Sequence, residues 1–136
     1  MLMHIPKIFT PDLLRLLMAM GHGETLLLAD ANYPAVQNAR GGVPILYLPV
    51  EDISALLGDI LRFYPLDAAV EQPCTVMQKA TESGALAKYE ALAGQGKIKS
   101  VERFAFYTCA QNAVGIVVTA DTTPGANILI QKGVVK

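Results

Sequence analysis

The stretch that decides the fold is residues 10–34, TPDLLRLLMAMGHGETLLLADANYP. Thr10 suits a helix N-cap, and the proline after it suits the first helical position. Leucine and methionine then recur at helical spacing, which predicts a helix over residues 11–20. Gly21 can take the left-handed conformation that ends such a helix. The apolar run at residues 25–29 is short and predicts a buried strand.

Two side chains with useful chemistry flank this strand. His22 lies beside the predicted helix end, where exposed carbonyl groups favour a positive charge. A free imidazole titrates near pH 6.5, so a histidine there is suited to donate a proton. Asp30 follows the strand directly, at the kind of strand end where α/β proteins bind ligands. From spacing alone the commoner roles are structural, a solvated cap for His22 and a turn for Asp30.

The rest of the chain alternates between predicted helices and strands. The clearest helix covers residues 51–64, whose apolar side chains form one stripe. Residues 31–42 contain proline, two asparagines and paired glycines, which predicts a loop. Further helices are predicted at 83–93 and 104–111, and further strands at 45–48, 74–78, 100–102, 114–119 and 128–131.

This order predicts one α/β domain over residues 1–136, with three α/β/α layers around a mostly parallel sheet. The last two strands are joined by residues 120–127 alone, which is too short for a helical crossover. They either pair antiparallel or lie apart in the sheet.

Composition narrows the class of protein further. The chain has 136 residues, of which 52% are hydrophobic and 17% charged, enough for a core and too apolar for disorder. The apolar excess favours a surface partly covered by other subunits. The net charge of −1 gives no electrostatic reason to expect a nucleic-acid or membrane partner.

The cysteine and glycine patterns predict no metal and no nucleotide cofactor. Cys74 and Cys109 lack CxxC spacing and are interpreted as buried thiols of a reducing cytosol. With only His4 and His22 beside them, the ligands for a zinc site are too few. The motif GHG precedes a strand, whereas a dinucleotide loop follows one. Without a signal-peptide pattern or an apolar run of about 20 residues, the sequence predicts a soluble cytoplasmic protein.

Several short motifs follow one another along the chain: TPDLL at 10–14, MGHG at 20–23, ADANYP at 29–34, ERFAFY at 102–107 and NILIQKGV at 127–134. In this order they resemble the L-fucose mutarotase and D-ribose pyranase family over the whole length. The resemblance implies an isomerase that interconverts the anomers of a reducing monosaccharide. It also implies a homo-oligomeric ring, a pentamer or a decamer, with the site at a subunit interface.

The resemblance also implies which residues act. His22 would be the proton donor, and Asp30, Arg103 and Asn127 would contact the sugar. Mutarotation needs only general acid–base catalysis, so no metal or other cofactor is required. Carboxylate, guanidinium and amide groups all suit sugar hydroxyls. Taken alone, Arg103 would be a solvated charge or an ion pair with Glu102, and Asn127 a turn residue.

The strand between His22 and Asp30 separates them too far for one sugar ring. Five residues span about 17 Å at ~3.3 Å per residue. Either the segment bends sharply, or the site combines the His22 of one subunit with the Asp30 of another. The oligomer that the resemblance implies favours the shared site.

The motifs also rank the possible substrates. RFAFY after residue 102 is similar to the fucose-type members, whereas ribose-type members carry a histidine shortly before the phenylalanine. The segment 124–127 is closer to the ribose type, with Gly125 where the family has tyrosine. L-fucose or a similar 6-deoxy sugar therefore ranks first, D-ribose second, and a non-catalytic sugar-binding accessory role third. Gly125→Tyr is expected to raise fucose affinity, and the remaining aromatic candidates are Tyr33, Tyr47 and Tyr107.

Overall fold

The computed structural model of the protein describes residues 1–136. Its helices are α1 (Pro11–Ala19), α2 (Ala35–Asn38), α3 (Ile53–Leu61), α4 (Lys79–Ser83), α5 (Ala85–Ala93) and α6 (Arg103–Ala110). Its strands are β1 (Thr25–Ala29), β2 (Ile45–Tyr47), β3 (Cys74–Met77), β4 (Ile98–Val101), β5 (Gly115–Val118) and β6 (Ile128–Gln131). None of the helices is both long and apolar enough to cross a membrane.

The six strands form one sheet in the order β2-β5-β1-β6-β3-β4. The pairs β1–β5, β2–β5 and β3–β4 are parallel, and β6 runs antiparallel to both its neighbours, β1 and β3. β5 and β6 therefore lie apart, one on each side of β1, which decides between the two arrangements that the short connection allowed. The prediction of a mostly parallel sheet is confirmed.

Side chains of β1 alternate between two apolar clusters, one on each face of the sheet. Leu26 and Leu28 belong to the larger cluster, which α1, α3 and α5 cover. Leu27 and Ala29 belong to the smaller one, where α6 contributes the fully buried Phe106. Because both faces are covered, the central strands carry continuous apolar runs rather than an alternating pattern. The predicted three-layer α/β/α architecture is confirmed.

The predicted helix cap at Gly21 is wrong. α1 ends at Ala19 with Met20 extended, and the left-handed residue is Gly23 (φ 84°), not Gly21. The Gly21 amide donates to the Glu24 carboxylate at 2.8 Å, which closes a tight turn over residues 21–24. The Gly23 amide donates to the Lys132 carbonyl at 2.8 Å and ties this turn to the end of β6. His22 therefore lies on a turn beside the sheet, not on a helix cap.

Two other segments differ from the predictions. The predicted helix over residues 83–93 corresponds to α5, which begins only after the left-handed Gly84 (φ 84°), and the separate helix α4 before it was not predicted. The predicted loop over residues 31–42 contains the short helix α2. A helix of one turn carries no apolar periodicity, so pattern reasoning cannot detect it.

The two cysteines are free thiols in different surroundings. Cys74 is fully buried in β3, and this burial raises the pKa of its thiol to about 12. Cys109 lies on α6 and is only half-buried, so the prediction of two buried thiols holds for Cys74 alone.

Candidate active site

An open cleft of about 370 Å³ lies where β1, β3 and β4 end and β6 begins. Carboxyl ends of parallel strands are the usual ligand sites of α/β sheets. The volume lies within the range of small-molecule sites. Polar side chains predominate in the lining, which includes Asp30, Gln78, Lys79, Glu82, Arg103 and Asn127.

Asp30 and Asn127 form a buried pair at the inner wall of the cleft. The antiparallel pairing of β1 with β6 brings the two residues together although they are 97 positions apart. The Asp30 amide donates to Asn127 Oδ1 at 2.7 Å, and Asn127 Nδ2 donates to Asp30 Oδ2 at 3.1 Å. Asp30 Oδ1 also accepts from the backbone N–H of Asn32 at 2.9 Å. Each carboxylate oxygen retains a free lone pair, so the pair is a rigid acceptor for ligand hydroxyls.

The side chains of this pair are almost withdrawn from solvent, with 5% of Asp30 and 2% of Asn127 exposed. Burial raises the pKa of the Asp30 carboxyl, against the opposing effect of the hydrogen bonds from Asn32 and Asn127. A carboxylate that water solvates poorly gains more from a hydroxyl donor than an exposed one does.

Arg103 presents an unpaired guanidinium to the cleft. The neighbouring Glu102 carboxylate caps α6, accepting from the amides of Phe104 at 2.9 Å and Ala105 at 3.1 Å. The guanidinium lies over the Phe104 ring, 4.5 Å from its centre, and has no carboxylate within ion-pair distance. The alternative of a Glu102–Arg103 ion pair is therefore wrong, and the donors of Arg103 remain available to a ligand.

Two of the three candidate tyrosines line the cleft. Tyr33 and Tyr107 contact each other edge to face, with ring centres 5.6 Å apart. Burial raises the pKa of the Tyr33 hydroxyl to about 12, so it stays protonated at neutral pH. Tyr47 lies on the edge strand β2, largely exposed and outside the cleft.

His22 lies outside the cleft of its own subunit, at the opposite end of β1. Its Nε2 is 3.1 Å from Asp67 Oδ1, and 51% of its side chain is exposed against 5% for Asp67. The Ala69 amide and the Gln131 side-chain amide also donate to the Asp67 carboxylate, at 3.0 and 2.9 Å. These hydrogen bonds, led by that of Ala69, lower the pKa of Asp67. A fixed carboxylate thus orients one ring nitrogen and leaves Nδ1 for another partner.

The structure therefore brings together three of the four predicted site residues, Asp30, Arg103 and Asn127, and separates His22 from them. β1 is hydrogen-bonded along both edges and does not bend to bring its ends together. Sequence reasoning missed Asp67, which no motif marks. It also missed Lys79 and Glu82, whose spacing is informative only once the bounds of α4 are known.

Gly125 cannot carry the tyrosine that the family motif places there. Its φ of 67° is left-handed, and a Cβ atom would lie 2.6 Å from Lys79 Cβ and 2.9 Å from Lys79 Cγ. The left-handed backbone of Gly125 and the aliphatic part of the Lys79 side chain therefore both oppose any side chain at this position. This geometry opposes the expectation that Gly125→Tyr raises fucose affinity.

Gly125→Ala should lower the free energy of unfolding by about 2 kcal/mol, because left-handed strain and steric overlap add together. Urea denaturation measures the loss. Two matched glycines separate its causes: Gly42→Ala adds left-handed strain in open space, and Gly41→Ala adds neither strain nor overlap. We expect the loss to increase from Gly41 through Gly42 to Gly125. Equal stability of the three alanine variants would contradict this account of Gly125.

The fold and the cleft define a small α/β protein with a polar cleft at the carboxyl ends of its parallel strands. The sequence model of the RbsD / FucU transport protein family matches residues 3–135. The chain belongs to this family.

Relatives with full-length similarity carry consistent names. A protein of Mus musculus named fucose mutarotase is 36% identical over 140 residues, which cover 95% of this chain and 92% of the relative. A protein of Actinobacillus pleuropneumoniae named L-fucose mutarotase is 37% identical, covering 98% of this chain and 97% of the relative. The crystal structure of the fucose mutarotase of Streptococcus pneumoniae in complex with L-fucose superposes with a TM-score of 0.86. It is 35% identical and covers 99% of this chain and 100% of that one.

Proposed function

We propose that the protein is a sugar mutarotase, an isomerase that interconverts the anomers of L-fucose or a similar 6-deoxy monosaccharide by general acid–base catalysis. The observation that carries the proposal is similarity over nearly the whole chain to fucose mutarotases, one of them bound to L-fucose. The cleft supports it, since the Asp30–Asn127 pair accepts hydroxyl hydrogens and Arg103 donates to hydroxyl oxygens.

Catalysis requires only proton transfers, because the bond between the anomeric carbon and the ring oxygen breaks and re-forms without a further reactant. The ring opens when its oxygen gains a proton and the anomeric hydroxyl loses one, and it closes again on either face of the carbonyl carbon. An imidazole held in place by Asp67 suits the transfer of one of these protons. The cleft residues would hold the sugar while its ring opens and closes. No step needs a cofactor.

We infer that the site is completed between subunits. His22 and the cleft lie at opposite ends of β1, which spans about 17 Å at ~3.3 Å per residue. About half of the His22 side chain is exposed, and His22 does not line the cleft of its own subunit. A ring of five subunits, or a pair of such rings, would bring the His22 of one subunit to the cleft of the next. Large exposed apolar side chains are available for such contacts, among them Met18, Val36, Tyr47 and Phe104.

We also propose that the protein is cytoplasmic. A reducing cytoplasm suits the two unpaired thiols, Cys74 and Cys109. We propose that residues 1–136 act there as one domain on a free monosaccharide, with neither a nucleic acid nor a membrane as partner.

The test is saturation-transfer NMR of anomer exchange on a panel of sugars, with and without the protein. Exchange of L-fucose should be accelerated more than exchange of D-ribose, because the Arg103 context is that of the fucose-type members. Faster exchange of ribose would make the protein a pyranase. Binding without acceleration of any sugar would make it a sugar-binding accessory protein.

A further inference from the structure

Lys79 forms a part of the cleft wall that the family motifs do not describe. It is the first residue of α4, two positions after the last residue of β3, and it lines the same cleft as Asp30 and Arg103. Its Cβ and Cγ atoms fill the space in which a side chain at Gly125 would begin. An aliphatic stem that carries an ammonium group therefore stands where the family motif has an aromatic ring with a hydroxyl.

The ammonium group has a partner that a ligand could share. Lys79 Nζ lies 2.7 Å from Glu82 Oε2, and 56% of the Lys79 side chain and 66% of the Glu82 side chain are exposed. Ion pairs this exposed contribute little to stability, so the two groups can re-pair with a ligand at small cost. Both residues line the cleft.

The two other carboxylates of the cleft already accept hydrogen bonds from the protein. Glu102 is held by two amides of α6, and Asp30 by Asn32 and Asn127. Lys79 and Arg103 are the two cations of the lining, against the three carboxylates of Asp30, Glu82 and Glu102. This balance opposes a sugar that carries a carboxylate or phosphate and favours a neutral one.

We propose that Lys79 and Glu82 form a second sugar-contacting element that determines specificity. Lys79 donates to one hydroxyl of a neutral monosaccharide, and Glu82 accepts from the hydroxyl beside it. The Nζ–Oε2 separation of 2.7 Å is similar to that between the oxygens of adjacent ring hydroxyls, so such a diol can bridge the two groups. This inference rests on the proposed function, because it assigns a further contact to the same site.

The test compares Lys79→Met with wild type by two measurements on L-fucose. Calorimetry gives the Kd, and NMR exchange at varied sugar concentration gives KM and kcat. Losing one charge-assisted hydrogen bond should raise Kd and KM about tenfold. The kcat should change less than about twofold, since Lys79 takes no part in proton transfer. Lys79→Arg should restore most of the affinity, and Lys97→Met, at an exposed lysine outside the cleft, should match wild type.

The outcomes separate this inference from the proposed function. If wild type accelerates fucose exchange and Lys79→Met keeps the wild-type Kd and KM, Lys79 contacts no sugar and the function stands. If wild type binds fucose but accelerates nothing, the catalytic proposal fails, and the Kd values alone decide the role of Lys79. A fall in kcat at unchanged KM would overturn the specificity role. Absence of binding to any sugar of the panel would overturn both proposals.

Discussion

Replacing His22 by alanine should slow anomer exchange by about 10²–10⁴-fold, the usual cost of losing a general acid or base. The exposed half of the ring means that truncation leaves no internal cavity. The Asp67 carboxylate keeps its hydrogen bonds from Ala69 and Gln131, so it is not left unpaired. The variant should therefore fold normally and lose only catalysis. Saturation-transfer NMR with L-fucose measures the rate, and circular dichroism checks the fold.

The chain offers its own control for this experiment. His4 is the only other histidine, and it is exposed and lies outside the cleft. Its φ of 67° is left-handed, a conformation that asparagine tolerates well, so His4→Asn should leave both fold and rate unchanged. His22→Asn should be as slow as His22→Ala, because an amide can bind a sugar but does not transfer protons. Exchange at the wild-type rate in either His22 variant would exclude the proposed mechanism.

The sequence predicted the fold well where its apolar pattern was strong. The bounds of β1 and β6 coincide with the predicted strands at 25–29 and 128–131. Apart from Thr25 and Gln131 at their ends, both are continuous apolar runs, and burial on two faces is the physical reason for such runs. Boundaries failed where one glycine decides the geometry, as at Gly84, because the pattern on either side of it stays helical.

Three of the predicted site residues meet in one cleft, but the sequence did not predict the geometry that joins them. Asp30 and Asn127 meet because β6 turns antiparallel against β1, and no local spacing reveals a contact across 97 positions. The roles proposed for these two residues and for Arg103 come from the resemblance to the family motifs. Asp67 lies in no motif, so only the structure reveals its hydrogen bond to His22. Gly125 was misjudged because the atoms that exclude a side chain there belong to Lys79.

Mixing two inactive variants should restore exchange if the site is shared. His22→Ala subunits keep the cleft residue Asp30, and Asp30→Ala subunits keep His22. The two variants are dissociated, combined in equal amounts and allowed to reassemble. About one site in four then receives an intact cleft from one subunit and an intact imidazole from its neighbour, because each partner is drawn at random. The mixture should recover about a quarter of the wild-type rate, far above the residual rate of either variant alone.

Asp30 is buried and bonded to Asn127, so Asp30→Asn serves as a second cleft variant if the alanine variant fails to fold. A chain carrying both His22→Ala and Asp30→Ala gives the complementary measurement when it is reassembled in equal amounts with wild type. A site built within one subunit would leave about half of the sites active, whereas a site built between two subunits would leave about a quarter. Because β1 separates His22 from the cleft of its own subunit, we expect about a quarter of the sites to be active. An active monomer by light scattering, or no recovery in the first mixture, would instead place both groups in a single subunit, and β1 would have to open to bring them together.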